Sequence, residues 1–290
     1  MGIATAGRAA VLRETIAELA AQTRQPDRLL VCATAPSDVA DIAAAQARPD
    51  ILFAAAGLPR QRNALLDAAA DCDVLLFLDD DFLPAPGYLA AIEAAFLADP
   101  MLVVATGTLI ADGIGGPGLD PDAARALVRA DLARPAGPVP PVPAFAGYGC
   151  NMAIRVAPAM AHGLRVDERL PLYAWQEDVD FTRRLGAFGR VCRLPGARGV
   201  HLGTKRGRGS GVRLGYSQVA NPLYLARKTG GGAYPYRYAA LRIARNLAAN
   251  LAHAPRPQAH VDRRGRLRGN LIALWDAARG RLTPERVLEL

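Results

Sequence analysis

The stretch Val74-Leu75-Leu76-Phe77-Leu78-Asp79-Asp80-Asp81 joins five apolar residues directly to three carboxylates. The apolar run is too short for a helix and is typical of a buried parallel strand. The acids then lie at the carboxyl end of that strand, where open α/β sheets bind their ligands. Three adjacent carboxylates repel one another, and a hard divalent cation would relieve that repulsion. The stretch therefore predicts a metal site at a sheet edge or, as the alternative, an acidic surface turn.

On either side of this stretch, short apolar runs alternate with segments of helical periodicity up to about residue 110. The other runs that predict strands lie at residues 3–5, 28–33, 51–54 and 101–105. Helices are expected between them, including one capped by Ser37 or Asp38 after the second strand. This alternation predicts an α/β fold with a mostly parallel sheet that is covered by helices on both faces.

Length and composition predict a globular chain with a substantial core, since 51% of its 290 residues are hydrophobic. No apolar run approaches the roughly 18 residues of a membrane span. The first residues show no secretory signal, so we expect a cytoplasmic protein. The cysteines are scattered without a CxxC pair, which argues against disulfides and against a structural zinc site.

The net charge of +8 conceals two oppositely charged segments. Residues 1–180 hold 13 Lys+Arg and 23 Asp+Glu, a net of −10, whereas residues 181–290 hold 22 and 4, a net of +18. A basic segment suits a phosphate-rich partner, such as nucleic acid, an anionic lipid surface or a diphosphate-bearing substrate. Nucleic acid is the least expected of the three, because aromatic residues make up only 6% of the chain.

The stretch Gly113-Ile114-Gly115-Gly116-Pro117-Gly118 matches the GxGxxG pattern, but we interpret it as a loop. A dinucleotide fingerprint belongs on the first strand-to-helix turn, with the pyrophosphate on a helix N-terminus. Here Pro117 interrupts the pattern, and the next helix cannot begin before about Asp120. The stretch therefore does not predict a dinucleotide site.

A second acidic group, Glu177-Asp178-Val179-Asp180, begins a helical stretch. Acids in a first helical turn are stabilised by the helix dipole, so the group is either structural or the source of a general base. His201 follows an apolar run and is either structural or a third ligand beside the carboxylates, since imidazole suits Mn²⁺. Lys205, Arg206 and Arg208 form a mobile solvated segment or a lid over a diphosphate.

Five motifs in a fixed order together resemble the family 2 glycosyltransferases, which have the GT-A fold. These motifs are residues 3–8, the pair Arg62-Asn63, the aspartates 79–81, the segment 149–155 (GCNMAIR) and the segment 177–184 (EDVDFTRR). The resemblance covers about residues 1–203. It departs from the family at Ala33-Thr34, where an aspartate often contacts the nucleotide, and Asp38 is the nearest substitute.

The resemblance implies an inverting, metal-dependent transfer of a hexosyl or related sugar from a nucleotide-diphospho-sugar to a hydroxyl group. Asp178 would be the general base. Mn²⁺ or Mg²⁺ would be held by Asp81, Asp79 and His201. The donor nucleotide, with uridine as the expected base, would be bound by Thr5, Arg8, Asp38, Arg62, Asp79 and Asp80. The acceptor and lid would be formed by Asn151, Trp175, Glu177, Lys205, Arg206 and Arg208.

The same resemblance implies a catalytic domain at residues 1–203, with a nucleotide half (1–110) and an acceptor half (111–203). A basic, partly helical extension would follow at residues 204–290. We expect a role in envelope or exopolysaccharide synthesis, with a lipid-diphosphate-linked acceptor and peripheral contact with the inner face of the cytoplasmic membrane. The alternatives are a nucleotidyltransferase that forms nucleotide-sugars, and a nucleic-acid-binding protein.

Overall fold

The computed structural model describes residues 1–40, 42, 48–134, 137, 139–204, 210–256 and 258–290. The chain folds as two compact units. The first unit comprises Met1–Ala56, Arg60–Arg165 and Thr182–Gly207. The second unit comprises Gly57–Pro59, Val166–Phe181 and Arg208–Leu290.

The strands all belong to the first unit. In chain order they are β1 (Gly2–Ala4), β2 (Leu30–Ala33), β3 (Asp50–Phe53), β4 (Val74–Asp79), β5 (Phe82–Pro84), β6 (Leu102–Asp112), β7 (Val142–Pro143), β8 (Asn151–Arg155) and β9 (Arg190–His201).

The helices are distributed over both units. In chain order they are α1 (Ala9–Leu19), α2 (Leu58–Ala68), α3 (Tyr88–Ala98), α4 (Pro121–Leu132), α5 (Val156–Ala161), α6 (Glu177–Leu185), α7 (Gly211–Lys228), α8 (Tyr236–His253) and α9 (Arg263–Ala278). Short 3-10 turns lie at Pro36–Val39, Gly113–Gly115 and Pro284–Glu289.

The predicted α/β fold is confirmed, but the sheet is mixed rather than mostly parallel. In the described part of the chain, nine strands form one sheet in the order β3-β2-β1-β4-β8-β6-β9-β5, with β7 paired to β9. The pairs β2·β3, β1·β2, β1·β4 and β6·β9 are parallel, and the other four are antiparallel. The parallel expectation fails because β8 inserts between β4 and β6 in the opposite direction.

The five apolar residues of the opening stretch lie in β4, as the sequence predicts. Ile3, Leu76 and Leu78 belong to the main apolar core of the first unit, together with residues from α1 and α3. Pro84 lies in β5, which pairs only with β9, so the missing amide of proline is tolerated at the sheet edge. This packing fixes the carboxyl end of β4, where the three aspartates follow.

The glycine loop after β6 packs directly against the backbone that follows β9. A Cβ atom on Gly113 would lie 2.0 Å from the carbonyl oxygen of Leu202, and Gly203 has a φ of +64°. The amide of Leu119 donates to the same Leu202 carbonyl over 2.8 Å. The loop is therefore a structural contact, and α4 begins at Pro121 with Asp120 as its N-cap.

The helix expected after β2 with Ser37 or Asp38 as its cap is not seen as predicted. The described residues there form a single 3-10 turn whose N-cap is Ala35, with Asp38 as its third residue. Pro36 favours a turn at this point because its ring fixes φ. Residues 41 and 43–47 lie outside the described residues, so the rest of that expected helix is not assessed.

The second unit contains the helical C-terminal part of the chain, in agreement with the expected helical extension. Tyr216, Val219 and Ala220 of α7 form a small apolar core with Ala273 of α9 and Val287. None of the helices in the described residues is long and apolar enough to cross a membrane.

Candidate active site

Asp79, Asp81 and His201 converge at the carboxyl end of β4, and all three belong to the first unit. The His201 Nε2 atom lies 3.4 Å from an Asp81 carboxylate oxygen and 4.0 Å from one of Asp79. One ligand atom from each of the three residues falls within 4.8 Å of the others. The sheet creates this group, because β5 pairs with β9 and places Phe82 opposite His201.

These three side chains fit a divalent cation. Two ligand atoms at about 2.2 Å from one ion are at most about 4.4 Å apart, so the side chains need to close by only a few tenths of an ångström. Asp79 keeps 29% of its side chain exposed, whereas His201 keeps 5%. The exposed carboxylate of Asp79 leaves the group open to solvent on one side.

Protonated and cationic groups offset the negative charge of the acids. Burial opposes ionisation of Asp81, but His201, Arg8 and the amide of Thr204 outweigh it and lower the Asp81 pKa to about 2. Burial lowers the pKa of His201, but Asp112, Asp81 and Asp79 outweigh it and raise that pKa to about 10. The imidazolium therefore supplies the positive charge that a bound cation would replace.

Asp80 points away from this group, as the alternation along an extended chain predicts. Its side chain accepts from Thr5 Oγ1 over 2.7 Å and lies 2.6 Å from Arg8. Burial raises the pKa of Asp80 to about 7, although Arg8 opposes the shift. Asp80 has no exposed surface and Thr5 only 2%. Asp80 thus holds Arg8 and is itself held by Thr5. The expected contact of Thr5 and Asp80 with the donor stays a prediction.

Arg62 lies beside Asp79 and is almost completely buried. Its guanidinium lies 3.2 Å from Asp79, donates to the Gly149 carbonyl over 2.7 Å and sits over the Phe77 ring. Only 2% of the residue is exposed. Arg62 thus orients the Asp79 carboxylate, and its expected direct contact with the nucleotide stays a prediction.

Asp38 connects the loops after β1 and β2 by hydrogen bonds. Its carboxylate accepts from the Gly7 amide over 2.7 Å, and from the Thr34 hydroxyl over 2.6 Å and the Ala35 amide over 2.9 Å. Burial raises its pKa, but these hydrogen bonds outweigh it and hold the pKa below its usual range. Asp38 is 4% exposed and holds these two loops together. Its expected contact with the nucleotide, in place of the aspartate missing at Ala33, stays a prediction.

Asn151 is a buried residue of a central strand. It lies at the start of β8 with no exposed surface, and its side-chain oxygen accepts from the Thr106 hydroxyl over 2.6 Å. Its expected position on the acceptor side stays a prediction.

Two residues of the group were missed from the sequence. Asp112, the last residue of β6, lies 2.8 Å from His201 Nδ1. Tyr148 donates its hydroxyl to the other Asp112 oxygen over 3.0 Å. The only available signal was the position of Asp112 directly before the glycine loop, where Asp112 also accepts from the Ile114 amide as an N-cap.

The second acidic group begins α6, and its candidate base Asp178 belongs to the second unit. Glu177 is 3% exposed and Asp180 is fully buried, whereas Asp178 is half-buried. Asp180 pairs with Lys228 over 2.8 Å, and Lys228 also reaches Asp167 over 2.7 Å. Among the three acids of this motif, Asp178 is therefore the one that is not buried.

The segment that leads into α6 has an unusual backbone. Leu172, Ala174 and Gln176 have φ values of 60°, 52° and 76°. Residues other than glycine rarely adopt positive φ values. Trp175 is half-buried within it; its carbonyl accepts from Asn221 over 2.9 Å, and Arg242 lies over its ring at 5.3 Å. Such strain is concentrated at functional sites.

Lys205, Arg206 and Arg208 lie outside the described residues.

Comparison with known proteins agrees with this geometry. The model of the family described as Glycosyl transferase family 2 matches residues 2–120. That range contains the aspartates of β4 and the loops after β1 and β2. No curated protein sequence matches the chain.

Solved structures share the fold at low sequence identity. The mannosyltransferase PcManGT from Pyrobaculum calidifontis, in complex with GDP-Man and Mn²⁺, aligns with a TM-score of 0.54 at 16% identity, over 99% of this chain and 84% of its own. S. aureus TarS 1-349 aligns with a TM-score of 0.52 at 15% identity, over 96% and 90%. GalNAc-T7 with UDP, GalNAc and Mn²⁺ aligns with a TM-score of 0.50 at 15% identity, over 69% and 42%.

The chain spans only 35% of a longer S. aureus TarS chain, which it matches at 15% identity. At these identities the structural likeness establishes the fold alone. The chain thus has the GT-A fold, and its residues 2–120 match the model of Glycosyl transferase family 2.

Proposed function

We propose that the protein is a metal-dependent, inverting glycosyltransferase that moves a sugar from a nucleotide-diphospho-sugar to an acceptor hydroxyl. The observation that carries this proposal is the convergence of Asp79, Asp81 and His201 within 4.8 Å at the end of β4. A cation held there would act as a Lewis acid for the departing diphosphate. The nucleotidyltransferase and nucleic-acid alternatives are set aside, because the family match is to glycosyltransferases.

The donor set favours Mn²⁺ over Mg²⁺. Mg²⁺ prefers an octahedral shell of oxygen atoms, whereas imidazole suits transition ions. His201 offers a nitrogen beside two carboxylates. Two of the similar structures contain Mn²⁺, which is a property of those proteins and supports the same assignment here.

Asp178 is proposed as the general base. The acceptor oxygen forms the new bond to the anomeric carbon as the bond to the diphosphate oxygen breaks, and the electron pair of that bond leaves with the diphosphate. The hydroxyl proton passes to Asp178. One displacement of this kind inverts the anomeric configuration. The accessible position of Asp178 in its motif supports the role, and Trp175 and Glu177 are proposed as acceptor-side residues beside it.

The donor is proposed to be a nucleoside-diphosphate sugar, with Arg8 as the contacting cation of the first unit. Arg8 keeps 22% of its side chain exposed while Asp80 holds it. Uridine remains the expected base, although the similar structures hold both GDP-Man and UDP. Lys205, Arg206 and Arg208 are proposed to close over the diphosphate.

A thermal-shift panel tests this function most directly. Nucleoside diphosphates and nucleotide-sugars would be added with Mn²⁺, with Mg²⁺, or with excess chelator. Binding at 100 times the dissociation constant stabilises a protein by about 2.7 kcal/mol, which is enough to rank bases and metals. We expect stabilisation by one nucleotide series in Mn²⁺ only. Equal stabilisation in chelator would count against the metal role.

The acceptor is proposed to be linked to a lipid diphosphate at the inner face of the cytoplasmic membrane, in envelope or exopolysaccharide synthesis. One exposed face of α9 supports contact with an anionic lipid surface: Leu271 and Trp275 are 56% and 57% exposed, and Arg264 and Arg268 are exposed beside them. Basic and aromatic side chains together favour the membrane interface.

Sedimentation with vesicles tests this contact. The protein should pellet with vesicles rich in anionic lipid and remain in solution with neutral ones, and Trp275→Ala should weaken the association. Equal behaviour with both vesicle types would remove the membrane proposal while leaving the transferase activity untouched.

A further inference from the structure

We propose that Asp112 is a positioning residue for the metal ligand His201, and that Tyr148 in turn fixes Asp112. This inference rests on the proposed function, in which His201 binds the cation. The Asp112 carboxylate lies 2.8 Å from His201 Nδ1, and the Tyr148 hydroxyl donates to the same carboxylate over 3.0 Å. The three residues form a chain that ends at the metal group.

The Asp112 contact determines which nitrogen of His201 faces the other ligands. A carboxylate can only accept, so the Nδ1 atom beside it carries a hydrogen. The Nε2 atom then points at Asp81 and Asp79, over 3.4 Å and 4.0 Å. When the Nε2 atom carries no hydrogen, its lone pair points to the position proposed for the cation. Metal-binding histidines generally have such a partner, which fixes the ring and raises its basicity.

The sheet builds this pair through the register of two parallel strands. Asp112, the last residue of β6, is the register partner of His201, the last residue of β9. A register shift between Leu109 and Ala111 brings the two ends level. Because neighbouring side chains of a strand point to opposite faces, a slip by one residue would turn Asp112 away from the imidazole.

The glycine loop holds this register. A Cβ atom on Gly203 would lie 2.3 Å from the Gly113 carbonyl carbon, so the two backbones approach closely directly after Asp112 and His201. The position of Asp112 is therefore set by backbone contacts on both sides, which suits a group that must hold a ring in one orientation.

Titration of Mn²⁺, followed by the electron paramagnetic resonance signal of the free ion, tests the assignment at fixed pH. We expect Asp112→Asn to weaken Mn²⁺ binding by about 10- to 100-fold, the range typical when a residue that hydrogen-bonds a metal ligand is lost. Tyr148→Phe should weaken it by a smaller factor. Asp73→Asn is the matched control, because Asp73 is exposed at the opposite end of β4, roughly 20 Å along the strand from Asp79.

A double variant separates positioning from a general structural effect. In a His201→Gln background, Asp112→Asn and Tyr148→Phe should cause no further loss of Mn²⁺ affinity, because the side chain through which they act is absent. An equal loss in both backgrounds, or wild-type affinity in both single variants, would overturn the inference. If Asp112→Asn does not fold, as judged by circular dichroism, the Tyr148→Phe series decides alone.

The outcome also distinguishes this inference from the function on which it rests. If His201→Gln weakens Mn²⁺ binding while Asp112→Asn does not, the metal role of His201 stands and the positioning role fails. If His201→Gln leaves Mn²⁺ affinity unchanged, both fail.

Discussion

The acids at the end of β4 and those at the start of α6 have similar sequences but different surroundings. Each group contains one acid that is fully buried and paired with a cation: Asp80 with Arg8, and Asp180 with Lys228. In the β4 group the other two acids face the imidazole of His201. In the α6 group they lie in the first turn of a helix, where the dipole favours negative charge.

This difference is the basis on which we propose two functions for the two groups. In the β4 group, two carboxylates and a histidine are close enough to share one ion. In the α6 group, Glu177 and Asp180 are buried, and Asp178 is the acid of the three that is not. We therefore expect substitutions in the two groups to separate metal binding from proton transfer.

The largest expected effect is that of Asp178→Asn on the transfer rate. General base catalysis contributes about 10²- to 10⁴-fold, so product formation should fall by that factor. Mn²⁺ and donor affinity should remain at the wild-type level, because the metal group is unchanged. Product formation and donor dissociation constants would be measured on the same preparation.

Glu168→Gln is the control for this variant, because it also removes the charge of one acid in the second unit, at an exposed position outside the motif. It should keep the wild-type rate. Full activity of Asp178→Asn would remove Asp178 as the base.

The opposite separation is expected for Asp81→Asn. Loss of a direct carboxylate ligand should weaken Mn²⁺ binding by at least about 100-fold, more than is typical for an outer-shell partner. The Mn²⁺-dependent thermal shift should disappear, and transfer should fall with it. Asp73→Asn again provides the control. Retained Mn²⁺ affinity would contradict the assignment of the β4 group as the metal group.

A smaller effect, on stability alone, is expected for Lys228→Met. This substitution leaves Asp180 and Asp167 without the cation that pairs with both. Breaking a buried pair costs about 3–5 kcal/mol, and because Lys228 keeps 26% of its side chain exposed, we expect a loss of about 2 kcal/mol in the free energy of unfolding. Arg227→Met, at the exposed neighbouring position on α7, should change it by less than about 0.5 kcal/mol.

The pH dependence of this loss provides an independent check. Burial raises the pKa of Asp167, but Lys228 and Tyr224 outweigh it and hold that pKa below its ordinary value. A carboxyl group with a lowered pKa in the folded state contributes stability above its unfolded pKa of about 3.9. In urea titrations, the difference in the free energy of unfolding between wild type and Lys228→Met should have its full value above that pH. It should become smaller as the pH falls below it. If the difference in the free energy of unfolding instead increased as the pH fell, the ion pair would not be its cause.

The sequence predicted the elements of this site better than their partners. The apolar run into Asp79 correctly indicated a strand and its carboxyl end, because strand length and position follow from local patterning. The insertion of β8 between β4 and β6 could not be predicted, since it depends on pairing between residues far apart in the chain. Asp112 was missed for the same reason, because its partner His201 lies 89 positions away.

The roles of the predicted residues were also only partly accessible from the sequence. Alternation indicated that Asp80 points away from Asp79 and Asp81, but not that its side is sealed from solvent. Arg62 and Asp38 were recognised as motif residues, but the sequence did not indicate that their side chains hold Asp79 and the loops. A motif identifies the residues, whereas their partners within the protein depend on the fold.

The contact between Gly113 and Gly203 has a consequence for how this protein can diverge. Natural or laboratory variation should be as restricted at these two glycines as at the metal ligands, although neither has a side chain that could bind anything. Gly115 and Gly116, in contrast, have open space around the position of a Cβ atom. The loop can therefore be varied at Gly115 and Gly116, whereas Gly113 at its start and Gly203 in the segment after β9 must stay glycine for the two backbones to approach.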